Sequence, residues 1–307
     1  MIAVRPPEGD RHGSRQAGRD PARVLLQISD PHFGTEQPDV LRALEALARE
    51  QAPAVVVLSG DITQRATRAQ FAAARAFVER LAVPARLVIP GNHDIPLFQF
   101  GARLLSPYGR YSEAFGRDLE PVIDAPEWLV IGVNTTRRYR HSDGEVSPAQ
   151  VARVAARLAT ATPQQLRIVV THQPVLVTRP EDVTNRLHGR KLAIEHWSRA
   201  GADMVMGGHI HLPYVRALHE EADVTCARPM WAVQAGTAVS TRVRGGRPNS
   251  VNLVRREADT TLRTCVVERW DHSAADDRFV CAERQRLPLA GLPRLTGRGS
   301  MGKGALS

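Results

Sequence analysis

Acidic, amide and imidazole side chains stand directly after short apolar runs in this sequence. The clearest case is residues 88–94, where Val-Ile-Pro-Gly is followed by Asn92, His93 and Asp94. Taken alone, this stretch is typical of a turn, because Gly, Asn and Asp are ordinary turn residues. Amides, imidazoles and carboxylates are also groups that bind divalent cations, and the imidazoles and carboxylates among them transfer protons. Its meaning therefore depends on whether similar clusters lie beside it in the fold.

The apolar runs indicate short buried strands, and several segments between them have the apolar spacing of helices. The predicted strands are residues 23–29, 54–58, 86–89, 128–134, 166–171 and 203–206, and the predicted helices are residues 40–49, 67–81, 147–158 and 190–199. Strands that alternate with helices form parallel β-α-β units, which bind ligands at the carboxyl ends of their strands. Residues 96–120 are predicted to form a cap of short helices and loops over those ends.

The rest of the chain has a different character. Apolar runs at residues 230–233, 251–255 and 262–270 have no helix between them and predict a second, more antiparallel sheet. We predict a disordered arm at residues 1–22, one domain at residues 23–283, and a basic disordered tail at residues 284–307. The arm lacks the apolar segment of a signal peptide, and no run approaches the ~18 apolar residues of a membrane span.

Charge and composition narrow the classes of partner. The formal net charge is +9 over 307 residues, and five of the excess positive charges lie in residues 284–307, which contain no acid. A mildly basic body suits an anionic substrate and does not require nucleic acid. The 5% of aromatic residues leaves few platforms for base stacking. The three cysteines form no C-x-x-C pair, so they indicate neither a disulfide framework nor a thiolate zinc site and favour a cytoplasmic location.

Five predicted strands end in polar clusters, and together these clusters supply a metal-binding set. It comprises two carboxylates, one amide and four imidazoles, namely Asp30, His32, Asp61, Asn92, His172, His209 and His211. Mixed nitrogen and oxygen donors without thiolate suit Mn, Fe, Zn or Co. A single ion would not use so many ligands, whereas two divalent ions ~3.5–4 Å apart that share a carboxylate would. The sequence therefore predicts two metal ions that balance the crowded carboxylates.

The clusters resemble the calcineurin-like metallophosphoesterase superfamily. Its pattern D-x-H, G-D, G-N-H-[DE], H and G-H-x-H is matched in order at residues 30–32, 60–61, 91–94, 172 and 208–211. Within it, the bacterial class III cyclic nucleotide phosphodiesterases are most similar in motif form and chain length. The resemblance covers the chain from residue 23 to about residue 270. It implies an α/β fold, a four-layer αββα sandwich of two mixed β-sheets flanked by helices.

The resemblance also implies a role for each motif residue. Two divalent or mixed-valence ions would share Asp61, with Asp30, His32 and His211 on one and Asn92, His172 and His209 on the other. A hydroxide that bridges the ions would attack phosphorus in line. Asn92 and His93 would contact the substrate, and His93 would protonate the leaving oxygen, since the unperturbed pKa of imidazole is close to working pH. Asp94 is expected to support the site rather than react.

The predicted function is therefore hydrolysis of a phosphodiester in a small, nucleotide-like substrate, with a cyclic nucleotide as one candidate. The alternatives on the same metal centre are a phosphomonoesterase, a nuclease and a pyrophosphatase of a nucleotide-linked substrate. The basic excess in the tail and the scarcity of aromatic residues make the nuclease less favoured. A hypothesis of another class is a metal-stabilised but inert binding scaffold, which is expected to carry a damaged motif. The sequence carries no signal of oligomeric state.

Two further groups of basic residues follow predicted strands and could reach a phosphate. They are Arg137, Arg138, Arg140 and His141 in one loop, and Arg242 and Arg244 in another. We interpret both groups as solvated basic loops.

Overall fold

The computed structural model describes residues 23–97, 100–140, 142–257 and 263–291. The strands are β1 (Val24–Ile28), β2 (Val55–Ser59), β3 (Ala85–Ile89), β4 (Val122–Ala125), β5 (Trp128–Gly132), β6 (Leu166–Val170), β7 (Met204–Gly207), β8 (Tyr214–Ala217), β9 (Trp231–Gln234), β10 (Ser250–Arg256), β11 (Thr264–Ser273) and β12 (Arg278–Pro288). The α-helices are α1 (Pro38–Gln51), α2 (Arg68–Arg80), α3 (Phe100–Leu105), α4 (Gly109–Phe115), α5 (Pro148–Leu158) and α6 (Arg190–Ala200). The predicted arm at residues 1–22, the last part of the predicted tail and His141 lie outside the described residues.

Two mixed sheets of six strands each form the centre of the molecule. The first has the order β12-β11-β10-β1-β2-β3, in which β1, β2 and β3 are parallel and the other neighbours are antiparallel. The second has the order β4-β5-β6-β7-β9-β8, with a parallel centre and antiparallel edges. The predicted α/β fold with two mixed sheets is confirmed.

Strands that are apolar on both faces explain the four layers. In β1, Leu26 and Ile28 pack with the apolar faces of α1 and α2, whereas Leu25 packs between the two sheets. On the far side, β5 to β7 pack against α5 and α6, where Trp197 is fully buried. A strand between two layers is buried on both faces and is therefore mostly apolar, which is why these runs show no alternation. The layers are therefore helices, sheet, sheet and helices.

Local signals fix the ends of the main helices. The Thr67 side chain accepts from the N–H of Gln70 and caps α2, and Ser147 and Gln150 form a reciprocal capping box at the start of α5. Pro148 follows at the first turn of α5, where the missing N–H costs nothing. Among the helices of the described ranges, none has both the length and the apolar character needed to cross a bilayer.

The late strands do not form the separate antiparallel sheet that the sequence pattern predicted. Strand β9 joins the second sheet parallel to β7, whereas β10 and β11 extend the first sheet antiparallel to β1. Both early sheets leave an edge that can accept a strand, and distant parts of the chain fill those edges. The prediction was wrong for a physical reason. The lack of helices between strands shows only how consecutive strands are connected, and it does not show which sheet edge each strand joins.

The predicted start of the disordered tail at residue 284 is also wrong. Strand β12 continues to Pro288 and pairs with β11 over its whole length, with Arg284 opposite Glu268. Leu287 is buried, and Arg286 donates to the Glu257 carboxylate at 2.7 Å. On an edge strand one face meets solvent, so the alternating basic residues resembled a solvated tail.

Candidate metal centre

The carboxyl ends of five strands meet at one rim of the sandwich. Strands β1, β2 and β3 of the first sheet and β6 and β7 of the second all end there. The buried Gln27 side chain ties the two sheets together, donating to the carbonyl of Gly207 at 3.0 Å and to Oγ of Ser59 at 3.2 Å. Its own oxygen accepts from Asn252 at 3.0 Å. This buried hydrogen-bond network holds the strand ends of the two sheets next to each other at the rim.

Glycines allow the loops beyond these strands to approach closely. A Cβ on Gly91 would lie 2.0 Å from the backbone nitrogen of Asp61, and one on Gly208 would lie 1.9 Å from Oγ of Ser29. Several of the predicted ligands have a positive φ, namely Asp30 at 50°, His32 at 42°, Asp61 at 48°, His209 at 73° and His211 at 56°. Such strained conformations at non-glycine residues concentrate at functional sites.

One group of potential ligands is formed by Asp30, His32, Asp61 and His211, all of them buried. Nε2 of His32 lies 3.1 Å from Nε2 of His211 and 3.6 Å from Oδ2 of Asp61. Nε2 of His211 lies 3.4 Å from Oδ1 of Asp30. Donors bound to one ion at about 2.1 Å are separated by roughly 3.0–3.5 Å, so these spacings fit a shared cation.

The second group is formed by Asp61, His172 and His209, so Asp61 belongs to both groups. Nε2 of His172 lies 3.2 Å from Oδ1 of Asp61. Oδ1 of Asn92 lies 3.2 Å from the same imidazole nitrogen and extends the group to a fourth side chain. In each group the donor atoms lie within 4.8 Å of one another. Two adjacent cation sites that share one carboxylate follow from this geometry.

Backbone carbonyls orient two of the imidazoles. Nδ1 of His172 lies 2.9 Å from the carbonyl of Ser59, and Nδ1 of His211 lies 2.6 Å from the carbonyl of Arg242. A carbonyl only accepts, so Nδ1 carries a hydrogen, and Nε2 is the ring nitrogen that faces the centre. Nδ1 of His32 and of His209 are buried and, among the described residues, have no hydrogen-bond partner. An orphaned buried nitrogen such as Nδ1 of His209 is suited to bind a cation, whereas His32 presents Nε2 to the centre.

Opposing effects set the pKa values of the two acids. Burial raises the pKa of Asp30, but His211 and His172 outweigh it and hold the pKa at about 2. Burial likewise opposes ionisation of Asp61, whose pKa nevertheless lies well below its ordinary value because of His172 and His93. Both side chains are therefore carboxylates near neutral pH, which is the form that binds metal.

The pKa values of the imidazoles differ from one another. Burial lowers the pKa of His32 to about 3, although Asp61 and Asp30 act in the opposite direction. Burial and then the neighbouring His172 lower the pKa of His209 to about 4. For His172 burial is outweighed by Asp61, which raises the pKa to about 9. A metal ion competes with this proton for Nε2, because an imidazole coordinates only when that nitrogen is unprotonated.

His93 lies at the edge of the centre rather than within either ligand group. Its backbone N–H donates to Oδ1 of Asp61 at 2.9 Å, and its ring packs edge-on to His32 with centroids 4.9 Å apart. Nδ1 lies 3.0 Å from the carbonyl of Gln64, and Nε2 lies 3.1 Å from Nη1 of Arg242. A backbone carbonyl holds Nδ1, whereas the partner of Nε2 is a side chain that can be displaced. Nε2 is therefore the ring atom that a substrate can reach.

Asp94 braces the loops instead of facing the centre. Its carboxylate accepts from the backbone of Gly91 at 2.9 Å, of Ile62 at 3.0 Å and of Thr63 at 2.8 Å, and also from the Thr63 hydroxyl. Burial and the nearby Asp61 raise its pKa to about 6, against the effect of these backbone donors. The loops after β2 and β3 are therefore joined through one side chain, in line with the expected supporting role.

The structure brings together all the side chains that the sequence pointed to as ligands, together with His93. It does not bear out the interpretation of the later arginines as solvated, because Arg242 contacts His93 and Arg244 donates to Asp182 at 2.7 Å. Sequence reasoning also missed Gln64, whose carbonyl faces His93. Gln64 follows the Gly-Asp motif after β2 by three residues, and that proximity was the available signal.

The comparisons with known proteins agree with this geometry. The chain is 27% identical over 204 residues, 62% of this chain and 74% of the other, to a protein of Synechococcus sp. described as a probable cyclic nucleotide phosphodiesterase. It is 26% identical over 269 residues, 80% of each chain, to a cAMP/cGMP dual specificity phosphodiesterase of Mycobacterium tuberculosis.

Solved structures share the fold at low sequence identity. A purple acid phosphatase from yellow lupin (Lupinus luteus) seeds superposes with a TM-score of 0.64 at 12% identity, over 87% of this chain and 53% of that chain. The present chain thus spans about half the length of the lupin protein. A dimetal phosphatase from Danio rerio superposes with a TM-score of 0.61 at 14% identity, over 88% of this chain and 100% of that chain.

The sequence model of calcineurin-like phosphoesterases matches residues 24–213, which is more than half of the chain and includes every strand end at the rim. The Asp and His cluster at that rim suits two divalent metal ions. The chain therefore belongs to the calcineurin-like phosphoesterase family and is a metal-dependent hydrolase of phosphoric esters.

Proposed function

We propose that this chain is a phosphodiesterase that hydrolyses a small, nucleotide-like phosphodiester, with cyclic nucleotides as the first substrates to test. The observation that carries the proposal is the pair of ligand groups that share Asp61. Two relatives at 26–27% identity are described as cyclic nucleotide phosphodiesterases, which supports the choice of substrate class.

The proposed ligand sets follow from the two groups and from Asn92 beside His172. Asp61 would serve both ions, with Asp30, His32 and His211 completing one set and Asn92, His172 and His209 the other. The spacing of the donor atoms and the outward Nδ1 hydrogen bonds of His172 and His211 support this assignment. When bound, two divalent ions lower the pKa of water and neutralise charge on phosphoryl oxygens.

The protein's own side chains would orient the ester and handle the proton. The Asn92 amide has two N–H donors that remain available to a phosphoryl oxygen while its Oδ1 faces His172. With an ester bound, His93, whose Nδ1 is fixed to the Gln64 carbonyl, would take up a proton from solvent at Nε2 and pass it to the leaving oxygen. The N–H of His93 on Asp61 keeps this imidazole beside the centre.

The cytoplasmic location also stays a proposal. It is supported by the three cysteines, of which Cys265 is buried and Cys226 and Cys281 are not, and all of which are free thiols. Free thiols are typical of a reducing compartment.

The test is hydrolysis of bis(p-nitrophenyl) phosphate by protein loaded with Mn²⁺, followed by a panel of cyclic nucleotides, nucleotide monoesters, pyrophosphates and oligonucleotides. We expect the diesters to be turned over, and we expect Asp61→Asn to lower kcat by about three orders of magnitude or more, because both ligand groups lose a carboxylate. The exposed Asp39 provides the matched control Asp39→Asn.

Each alternative has its own outcome in this panel. Faster turnover of monoesters, oligonucleotides or pyrophosphates would replace the diester proposal with the corresponding activity. Two bound ions without turnover of any substrate would favour the inert scaffold. Unchanged activity in Asp61→Asn would reject the proposed centre itself.

A further inference from the structure

We propose that Arg242 is a substrate-binding residue that contacts the anionic phosphoryl group at the metal centre. The inference rests on the proposed function and deepens it, because it names the side chain that receives the substrate's negative charge. Arg242 lies in the loop after β9, outside the five motifs and outside both ligand groups.

The guanidinium of Arg242 lies beside the imidazole of His93. Nη1 of Arg242 lies 3.1 Å from Nε2 of His93 and 3.2 Å from Oε1 of Gln64. A guanidinium only donates, so Nε2 of His93 accepts and the ring hydrogen is on Nδ1, which donates to the Gln64 carbonyl at 3.0 Å. The cation therefore occupies the place beside the ring nitrogen that we assign to the substrate. A phosphoryl oxygen that reaches Nε2 also comes within reach of Arg242.

The guanidinium of Arg242 has no carboxylate partner among the described residues. The two side chains that it contacts there, Gln64 and His93, offer an amide oxygen and an imidazole nitrogen. Its neighbour Arg244, in contrast, donates to the carboxylate of Asp182, which is 1% exposed. A half-buried guanidinium without a carboxylate partner is suited to bind an anion, and arginine is the side chain that best matches the geometry of phosphoryl oxygens.

Backbone contacts hold the loop that carries Arg242 in place. The carbonyl of Arg242 accepts from Nδ1 of His211 at 2.6 Å and from the Thr237 hydroxyl at 3.1 Å. Two residues further on, Arg244 also donates to the carbonyl of Ile210 at 3.1 Å. The loop is thus fixed to the Gly-His-x-His segment at Arg242 itself and two residues later. Since His211 uses the backbone of Arg242, replacing the side chain leaves that contact in place.

The experiment compares Arg242→Ala and Arg242→Lys with Arg216→Ala, which removes the same charge from an exposed position on β8. All proteins are loaded with Mn²⁺, and bound manganese is measured. Binding of inorganic phosphate is followed by titration calorimetry, and KM and kcat are measured with bis(p-nitrophenyl) phosphate. Calorimetry reports the contact independently of turnover.

We expect Arg242→Ala to weaken phosphate binding and to raise KM by about 10- to 100-fold, the usual effect of losing a charge-assisted hydrogen bond. Arg242→Lys should retain part of the affinity because it keeps the charge without the planar fork. Arg216→Ala should behave as wild type, and manganese content should be the same in all four proteins.

Two results would overturn the proposal. One is unchanged phosphate affinity in Arg242→Ala, and the other is loss of manganese from that variant, which would assign the side chain to the metal site. If the wild type bound phosphate through Arg242 but hydrolysed no ester, the proposed phosphodiesterase activity would be rejected. The proposed contact between Arg242 and phosphate would be retained. If the wild type hydrolysed diesters and Arg242→Ala bound phosphate normally, only the arginine contact would fail.

Discussion

The carboxylate of Asp61 contacts both halves of the metal centre. Oδ2 lies 3.6 Å from Nε2 of His32, whereas Oδ1 lies 3.2 Å from Nε2 of His172 and accepts the N–H of His93. A carboxylate can serve both sides because it has two oxygens with several lone pairs. The backbone of this residue has a φ of 48°, a conformation that is rare for a non-glycine residue. A single side chain therefore couples the proposed ligand sets to the proposed proton donor.

At the residue scale, the role proposed for His93 predicts a dependence on the leaving group. His93→Asn removes the Nε2 atom that would carry the proton, so esters with a poor leaving group should lose about 10²- to 10⁴-fold in kcat/KM. Esters that release p-nitrophenolate need little protonation and should lose much less. The measurement is kcat/KM for a series of aryl and alkyl phosphodiesters of graded leaving-group pKa.

The matched control is His196→Asn, which changes an exposed histidine on α6. It should leave the whole series unchanged. An equal loss for good and poor leaving groups in His93→Asn would assign His93 to binding and remove it from proton transfer.

The motif residues could be predicted at this scale because each follows an apolar run and has Gly or Pro nearby. Asp94, Gln64 and Arg242 carried weaker signals. Asp94 has the same local pattern as its neighbours, and only its contacts with Ile62 and Thr63 show that it braces the loops. Arg242 follows no motif, and its position beside His93 arises where the loop after β9 folds back over the rim.

At the element scale, the centre depends on how the ends of β1, β2 and β7 are aligned. Gln27, on β1, is fully buried and contacts Ser59 at the end of β2 and Gly207 at the end of β7. It also accepts from Asn252 on β10. Such a network is costly if a member is lost, because each remaining polar group stays buried with one partner fewer.

We therefore expect Gln27→Met, which conserves volume, to lower the free energy of unfolding by about 2–4 kcal/mol, since Gly207 and Asn252 lose a partner. The affinity for Mn²⁺ should fall as well, because hydrogen bonds from Gln27 no longer join the strand ends of the two sheets. Urea denaturation and metal titration check the two effects. Gln164→Met, at an exposed position before β6, should stay within about 0.5 kcal/mol of wild type. Wild-type stability in Gln27→Met would rule out this positioning role.

The early strands and helices could be predicted because buried parallel strands and amphipathic helices have strong local periods. The edge strands had weaker signals. Strands β4 and β8 have four residues each, and β12 exposes most of its residues. The sheet that each late strand joins is decided by long-range pairing, as for β9 with β7 and β10 with β1, and no local pattern encodes it.

At the scale of the whole molecule, the two sheets converge on a rim that concentrates buried charge. Asp30 is fully buried and Asp61 is 2% exposed, and both are carboxylates. Bound divalent cations would offset this charge only in the folded protein, because the ligands come from strands spread along the chain. Metal binding and folding stability should therefore be linked.

Removal of metal with EDTA should lower the Tm by roughly 8–10 °C, as expected if the two ions are present at about 100 times their Kd and contribute about 2.7 kcal/mol each. Added Mn²⁺ should restore the Tm. Differential scanning calorimetry provides the measurement, with Asp61→Asn as the comparison that should respond far less. An identical Tm before and after complete metal removal would show that the ions do not contribute to stability.

The net charge predicted the structure of the basic C-terminal residues less well than the motifs predicted the metal centre. Part of the basic C-terminal excess belongs to β12, where Arg284 lies 3.6 Å from Glu268 and Arg286 pairs with Glu257. Net charge cannot reveal such pairing, because the acids lie on β11 and beside it.

The most direct measurement is anomalous diffraction from crystals of the protein loaded with Mn²⁺. We expect two peaks about 3.5–4 Å apart on either side of the Asp61 carboxylate, as in two-metal hydrolases. We also expect Asp61→Asn crystals to lose at least one of them. A single peak, or two peaks that do not share Asp61, would contradict the dinuclear centre proposed for this chain.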